Sequence, residues 1–218
     1  MDRPQICVAI TDTDMEKVRE AELAADLVEV RIDLIGNGWE EVAVSLSRPW
    51  IACARIACDG GQWKESEEKR IETLAKAMDM GADIVDIELN TANVGEIIPR
   101  IKEKARCLVS WHNFESTPKI ETLKKIIDRQ IASGADICKV VTTARQFSDN
   151  IALLNLIPAY PSQELVAFAM GELGQISRIL CPLAGGAFTY ASTGEGSKSA
   201  PGQIMAAELR EIYGVLGK

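Results

Sequence analysis

The chain has 218 residues, of which 47% are hydrophobic and 26% are charged, and its 32 acidic and 24 basic side chains give a formal net charge of −8. This much apolar side chain can bury a sizeable core, which excludes a disordered chain, and the acidic balance without a dense Lys/Arg run argues against a nucleic-acid or anionic-membrane partner. A single histidine, together with six cysteines that form no C-x-x-C pair, argues against a metal site.

The amino terminus has no basic segment followed by an apolar stretch, so the sequence predicts no signal peptide. No apolar run approaches the ~18 residues that cross a bilayer. We therefore expect a reduced, cytoplasmic protein.

Short apolar runs rich in β-branched residues alternate with longer helical patterns along the whole chain. The predicted strands are, in chain order, Ile6–Thr11, Leu27–Asp33, Trp50–Arg55, Asp83–Leu89, Cys107–His112, Ile137–Val141, Leu165–Ala169 and Ala187–Ala191. Strands that alternate with helices imply a parallel sheet.

Two of the intervening segments carry clear apolar stripes at helical spacing. The stripes are Ile71, Leu74, Ala75 and Met78 in one segment, and Ile120, Leu123, Ile127 and Ile131 in the other. The second helix is predicted to have Thr117 as its N-cap, Pro118 as its first residue and Gly134 beyond its end.

An Ala-Asp pair recurs before three of the strands, at Ala25-Asp26, Ala82-Asp83 and Ala135-Asp136. The intervals of 57 and 53 residues each hold about two βα units, and eight such units fill this length. We therefore expect a single (β/α)₈ TIM barrel forming one catalytic domain over residues 1–218, with an open doubly wound sheet as the alternative.

Several predicted strands carry charges where a parallel strand buried on both faces is usually aliphatic. In the second strand, the period of two places Glu29, Arg31 and Asp33 on the face opposite Val28, Val30 and Ile32, hence inside the barrel. Further inward or strand-end polar residues are Arg55, Asp86, Glu88, Ser110, His112 and Lys139. Most lie near carboxyl ends of strands, where the active sites of such barrels are built.

Lys139 and His112 carry the most chemical information. Desolvation and neighbouring cations are expected to lower the pKa of Lys139 and make it a nucleophile towards a carbonyl. His112, on the neighbouring strand, can take and return a proton near neutral pH, as an elimination requires.

With these residues the chain resembles the type I 3-dehydroquinate dehydratases over nearly its whole length. The matching blocks, in order, are EVRID at 29–33, RIACDGG at 55–61, SWHNF at 110–114, GADICK at 134–139, MG at 170–171 with SR at 177–178, and SAPGQ at 199–203. Each block alone is a weak signal, and six in the right order are a strong one.

The resemblance implies a cofactor-free dehydration of 3-dehydroquinate to 3-dehydroshikimate in the shikimate pathway of aromatic amino-acid biosynthesis. Lys139 would form an imine with the C3 ketone, and His112 would remove a C2 proton and protonate the leaving C1 hydroxyl. Arg178 would pair with the substrate carboxylate, and Glu29, Arg31, Arg55, Ser199 and Gln203 would hold the ring hydroxyls and close the site. The expected partners are this small molecule and a second copy in a homodimer.

Two positions depart from the family pattern. Asp59 stands where a Glu usually orients the histidine, and Tyr190 stands at a position that is more often Phe. The glycine-rich segment 194–199 lacks the spacing of a phosphate loop and is expected to be a lid.

Other functions remain open at this stage. A class I aldolase uses the same lysine imine, a phosphate-binding barrel isomerase would use Gly185-Gly186, and a non-catalytic binding barrel would form no covalent adduct.

Overall fold

The computed structural model describes residues 3–194 and 200–218, and within them eight parallel strands form one sheet in the order 7-6-5-4-3-2-1-8. The strands are β1 (Ile6–Ile10), β2 (Leu27–Arg31), β3 (Trp50–Cys53), β4 (Ile84–Glu88), β5 (Arg106–His112), β6 (Ile137–Thr143), β7 (Glu164–Met170) and β8 (Thr189–Ala191). This cyclic order lacks the reversal of an open doubly wound sheet. The predicted (β/α)₈ barrel is confirmed as a nearly closed one.

Helices surround the barrel in the connections between strands. They are α1 (Met15–Ala24), α2 (Ile32–Ile35), α3 (Trp39–Ser45), α4 (Glu67–Asp79), α5 (Val94–Ile101), α6 (Ile120–Ala132), α7 (Ser148–Leu154), α8 (Leu156–Ala159), α9 (Gln175–Leu180) and α10 (Ala206–Val215). Among the described residues, no helix combines the length and apolar character needed to cross a membrane.

The barrel interior is apolar at the amino ends of the strands and charged towards their carboxyl ends. The apolar floor comprises Cys7, Leu27, Ile51, Ile84, Leu108 and Ile137, all buried. Above it lie Glu29, Asp86 and Lys139, which are at most 5% exposed. The opposite faces of the strands, for example Val28 and Val30, join the outer core between barrel and helices, as the period of two predicts.

The recurring aspartates have a common structural role at the amino end of the barrel. Asp26, Asp83 and Asp136 each precede an even-numbered strand, and their carboxylates accept hydrogen bonds from Ile6 N, Trp50 N and Cys107 N at 2.8–2.9 Å. Each aspartate therefore binds an amide at the start of the preceding strand, which explains why the pair recurs every two units.

Asp33 and Thr117 do not take the positions predicted for them. Asp33 does not lie on β2, because the chain turns into α2 at Ile32, although its carboxylate still meets Arg31. Thr117 is not the N-cap of α6: its hydroxyl bonds Thr142 and Thr143 of β6, so the helix begins later, at Ile120.

Pro118 consequently precedes α6 instead of forming its first residue. Gly134 follows the helix as predicted, with a φ of 98° that favours glycine over other residues.

The buried faces of α4 and α6 are rotated from the predicted stripes. In α4 the deeply buried positions are Arg70, Leu74 and Ala77, and in α6 they include Gln130, while Ile131 is 38% exposed. Both shifts place a long polar side chain against the barrel. Arg70 donates to Glu88, and the Gln130 amide nitrogen donates to Val109 O and Lys139 O.

Candidate active site

A cleft of about 490 Å³ opens at the carboxyl ends of the strands. Its lining includes every predicted site residue that the structure describes: Glu29, Arg31, Arg55, Asp59, His112, Lys139, Arg178 and Gln203. Ser199 lies outside the described residues. Side chains spread over 175 positions of sequence thus meet in one cleft because the barrel gathers the ends of its strands.

Lys139 lies in the middle of β6, opposite Ser110 of β5, and points into the barrel. Its Nζ donates hydrogen bonds to Asp86 Oδ2 and to the Tyr190 hydroxyl, both at 3.0 Å, and lies 3.5 Å from Glu29 Oε1. Burial alone would lower the pKa of this amine, but Asp86 and Glu29 outweigh burial and raise it. The predicted lowering is wrong, because these two carboxylates face the amine.

Asp86 is the central acceptor of the site. It accepts hydrogen bonds from Arg55, from Ser110 Oγ at 2.6 Å and from Lys139. Burial opposes its charge, but Arg55 and Lys139 overcome that effect and hold its pKa well below the usual range. The sequence placed Asp86 inside the barrel without giving it a role, and its position on an inward face was the available signal.

Arg55 belongs to a buried chain of alternating charges. Its guanidinium donates to Ser110 Oγ at 2.6 Å and lies 3.0 Å from Glu88 Oε1, and the other oxygen of Glu88 accepts from Arg70 of α4 at 2.8 Å. Arg70 also contacts Glu67 and is fully buried. This chain fixes the Arg55 side chain from the helix layer.

His112 ends β5, and its side chain is 10% exposed. Burial, with Arg55 adding to the effect, lowers the pKa of His112 to about 4, so the ring is neutral at neutral pH. Asp59 Oδ1 lies 3.7 Å from His112 Nδ1, which is beyond hydrogen-bond distance. The carboxylate therefore faces the ring, as the sequence suggested, without bonding it.

The loop after β3 fits closely around the ring beside His112. Phe114 stacks on His112 with a centroid distance of 6.0 Å and an angle of 16°. Gly60 has a φ of 79°, and a Cβ there would lie 2.5 Å from the Phe114 ring. Only glycine lets this loop approach the stacked rings so closely.

Arg178 of α9 is a cation of the cleft that pairs with no carboxylate of the described residues. The residue is 1% exposed, its guanidinium lies 4.3 Å from the Phe168 ring, and one nitrogen reaches Pro201 O at 3.4 Å. Within residues 3–194 and 200–218, Arg178 has no carboxylate partner, and its Nε makes no hydrogen bond. Burial lowers its pKa to about 10, so it stays charged and can bind an anion at neutral pH.

Two other cavity residues are already engaged. Arg31 makes a two-point contact with Asp33, at 2.9 and 2.8 Å, which leaves one face of the guanidinium towards the cleft. Glu29 accepts a hydrogen bond from the Tyr190 hydroxyl at 2.8 Å. The sequence identified Tyr190 as a departure from a family pattern but did not foresee this contact.

Glu29, Cys53 and Asp86 place three potential ligand atoms within 4.8 Å of one another. Asp86 is already bound by Arg55 and Lys139, and burial raises the pKa of the Cys53 thiol well above its ordinary value. A protonated thiol beside a neutralised carboxylate suits a cation poorly.

Gly185 and Gly186 do not belong to this cleft. They precede β8, and Ala187 N bonds Leu165 O at the amino end of β7. The phosphate site of the isomerase alternative would require them at the opposite end of the barrel.

Comparison with known proteins gives consistent similarities. Residues 6–218 match the family model described as type I 3-dehydroquinase. A 3-dehydroquinate dehydratase of Dehalococcoides mccartyi is 46% identical over 210 residues, which are 96% of this chain and 95% of that protein.

Among solved structures, a type I 3-dehydroquinate dehydratase of Clostridium difficile carrying covalently modified comenic acid has a TM-score of 0.87 at 25% identity, and the match covers 99% of this chain and 93% of that one. The 3-dehydroquinate dehydratase of Geobacillus kaustophilus has a TM-score of 0.86 at 29% identity, over 99% and 91% of the two chains.

Proposed function

Since the chain belongs to the type I 3-dehydroquinase family, we propose that this carbon–oxygen lyase converts 3-dehydroquinate to 3-dehydroshikimate through an imine on Lys139. The observation that carries the proposal is the presence of a buried lysine and a neutral histidine in a cleft that also holds an arginine without a carboxylate partner among residues 3–194 and 200–218.

Lys139 supplies the electron sink. Its amine attacks the C3 ketone and loses water to form an iminium ion, which acidifies the hydrogens on the neighbouring carbon. Because the amine starts as an ammonium held by Asp86 and Glu29, it must give up a proton before it attacks. Asp86, with its low pKa, stays ionised and stabilises the cationic iminium.

His112 carries the proton of the elimination. Its low pKa leaves the imidazole neutral, and a neutral ring can remove the C2 proton and then deliver it to the departing C1 hydroxyl. His112 is two residues nearer than Lys139 to the carboxyl end, since Ser110 is the residue of β5 paired with Lys139. His112 therefore lies nearer the mouth of the cleft than Lys139, where it faces the ring atoms of a substrate bound to the lysine.

Arg178 accounts for substrate selection. A carboxylated ring would supply the anion that no described residue provides to this buried guanidinium, and the planar fork suits a two-point contact. Arg31, Arg55, Glu29 and Gln203 surround the remaining cleft and suit a ring that bears hydroxyl groups. Ser199 completes the binding set proposed from the resemblance.

Further expectations come with this reaction: a step of the shikimate pathway of aromatic amino-acid biosynthesis, without a cofactor, in the cytoplasm and in a homodimer. Light scattering of the purified protein tests the dimer directly.

Trapping of the imine tests the mechanism. Borohydride added to the protein with 3-dehydroquinate is expected to reduce the imine and leave a stable mass increase on the Lys139 peptide. Lys139→Met, which keeps an unbranched side chain one atom shorter than lysine, should give no increase. His112→Ala should still form the adduct but eliminate water on the order of 10²-fold more slowly or worse. Absence of any adduct on Lys139 in the wild-type protein would refute the imine mechanism.

A further inference from the structure

The Tyr190 hydroxyl lies between the Lys139 amine and the Glu29 carboxylate. It accepts a hydrogen bond from Lys139 Nζ at 3.0 Å and donates one to Glu29 Oε1 at 2.8 Å. The direct distance from Nζ to that Oε1 is 3.5 Å, longer than an ordinary N–H···O hydrogen bond. The hydroxyl is therefore the hydrogen-bonded route from the amine to this carboxylate.

The neighbouring residues hold the Tyr190 ring in place and favour the protonated form of its hydroxyl. The residue is 4% exposed, and its ring lies against Phe168 and Phe188 with centroid distances of 6.1 and 5.6 Å. Burial, followed by Glu29, raises the pKa of Tyr190 well above its ordinary value. A hydroxyl that stays protonated can pass a proton on by accepting one and donating another, and it does not act as a resting base.

Building on the proposed function, we propose that Tyr190 is a catalytic residue that relays a proton between Lys139 and Glu29 while the imine forms and hydrolyses. In the forward direction the Lys139 ammonium gives a proton to the Tyr190 oxygen as the hydroxyl proton moves to Glu29, which leaves a free amine. The nitrogen lone pair then forms the C–N bond to the ketone carbon, and the oxygen takes up the C=O electron pair.

The relay then runs backwards. The alkoxide takes one proton from the nitrogen that attacked, which gives the neutral carbinolamine. The proton stored on Glu29 then returns through Tyr190 to the carbinolamine hydroxyl, which leaves as water as the C–O bond breaks and the nitrogen lone pair forms the C=N bond. The balance is an ammonium and a ketone giving an iminium ion and one water, with no net gain or loss of protons. Because the hydroxyl lies 3.0 Å from Nζ, an oxygen two bonds from that nitrogen comes within its reach.

Asp86 is the other acceptor of Lys139, but its chemistry differs. It is already bonded by Arg55 and Ser110, and its pKa lies well below the usual range, so it stabilises positive charge and stores a proton poorly. The titratable and charged groups that face the amine, besides Tyr190, are Cys7, Glu29, Cys53, Arg55, Asp86 and His112. Among them, Glu29 is the carboxylate to which Tyr190 donates.

Tyr190→Phe tests the relay, because it keeps the packed ring and removes only the hydroxyl. The measurement is the rate of adduct formation on Lys139 at saturating 3-dehydroquinate, by rapid mixing and a borohydride quench. We expect the variant to form the adduct at least about tenfold more slowly at neutral pH. The deficit should shrink at alkaline pH, because Lys139 then loses its proton to water without help.

Two further variants separate a relay from a structural effect. Tyr213→Phe removes another buried hydroxyl, one that donates to Ile179 O outside the cleft, and it should form the adduct at the wild-type rate. Glu29→Gln keeps an oxygen for Tyr190 but cannot take its proton, so it should show the same pH-dependent deficit. Since the two residues act on one path, the double variant should be no slower than the slower single variant.

The outcomes are distinct. Wild-type adduct rates in Tyr190→Phe, or a deficit of equal size at every pH, would overturn the relay. If Tyr190→Phe does not fold, the same criteria apply to Glu29→Gln. A wild-type protein that forms no adduct at all would instead refute the proposed function.

Discussion

The charge on Lys139 is the single-residue property on which the proposed reaction depends most. An ammonium between Asp86 and Glu29 is stable until substrate arrives, and the same carboxylates later favour the iminium ion over the neutral imine. The amine is therefore held ready as a cation and must be deprotonated at the moment of use. That requirement makes a short path for the proton, such as the one through Tyr190, chemically valuable.

Asp59 lies 3.7 Å from His112, so a side chain longer by one methylene group should bring the carboxylate within hydrogen-bond distance. In Asp59→Glu the longer side chain should reach Nδ1 and stabilise the imidazolium, so the pKa of His112 should rise from about 4 towards 6.5. The chain has one histidine, so an NMR titration of untagged protein follows this ring alone.

Asp59→Asn is the control, because it removes the charge without lengthening the side chain, and it should not raise the pKa of His112.

The lowered pKa of His112 also fixes how the free energy of unfolding depends on pH. Between about pH 6.5 and 4 the unfolded chain binds the proton more readily, so the folded protein loses stability as the pH falls through this range. Asp59→Glu should weaken that loss. If the pKa of His112 in Asp59→Glu equals that of the wild-type protein, a glutamate at this position does not reach the ring and the prediction is wrong.

At the scale of secondary-structure elements, the strands could be predicted because each is a short apolar run with charges on alternate positions. The helix faces were harder to predict. Hydrophobic spacing placed Ile71 and Met78 inward, yet Arg70 is fully buried, because it forms an ion pair with Glu88 of β4. A contact between layers decided the face, and helical periodicity carries no information about such a contact.

The Arg70–Glu88 ion pair, which connects α4 to the barrel, gives a prediction for stability. Arg70→Met should lower the free energy of unfolding by about 1.5–3 kcal/mol, since Glu88 keeps Arg55 but loses the hydrogen bond from this second cation. Urea denaturation measures the change. Lys69→Met, at the neighbouring exposed position, is the matched control and should change stability by less than about 0.5 kcal/mol.

Adding Glu88→Gln to Arg70→Met should restore part of the stability, because a neutral amide needs no second cation and Arg55 keeps its contact with Asp86. Equal losses in Arg70→Met and Lys69→Met would show that the buried pair contributes nothing specific.

At the scale of the whole molecule, residues that line the cleft could be named from sequence, but which of them contact one another could not. Lys139 meets Asp86 across 53 residues and Tyr190 across 51, and Tyr190 meets Glu29 across 161. Which side chains meet depends on the circumference of the barrel and the register of its strands. For this reason the sequence predicted a lowered pKa for Lys139, whereas its carboxylate neighbours raise it.

Net charge also describes the cleft poorly. A molecule with a formal charge of −8 has three cleft cations that are matched by acids: Arg31 by Asp33, Arg55 by Asp86 and Lys139 by Asp86 and Glu29. Arg178 is different, because no carboxylate of the described residues reaches it. The attraction for an anionic substrate is thus concentrated in one buried group.

Arg178 and Arg70 are both fully buried, and they should respond to the same substitution in opposite directions. In Arg178→Met no acid of the described residues is orphaned, and a charge that none of those residues matches leaves the interior. The free energy of unfolding should therefore rise by about 1–2 kcal/mol, the lost contact with Phe168 offsetting part of the gain. The same variant should lose most of its affinity for 3-dehydroquinate, measured as a KM raised at least about tenfold. Urea denaturation of the substrate-free protein and steady-state kinetics measure the two effects. A destabilised Arg178→Met would mean that the folded protein already compensates this charge, and the arginine would then lack the stored binding energy that the proposal assigns to it.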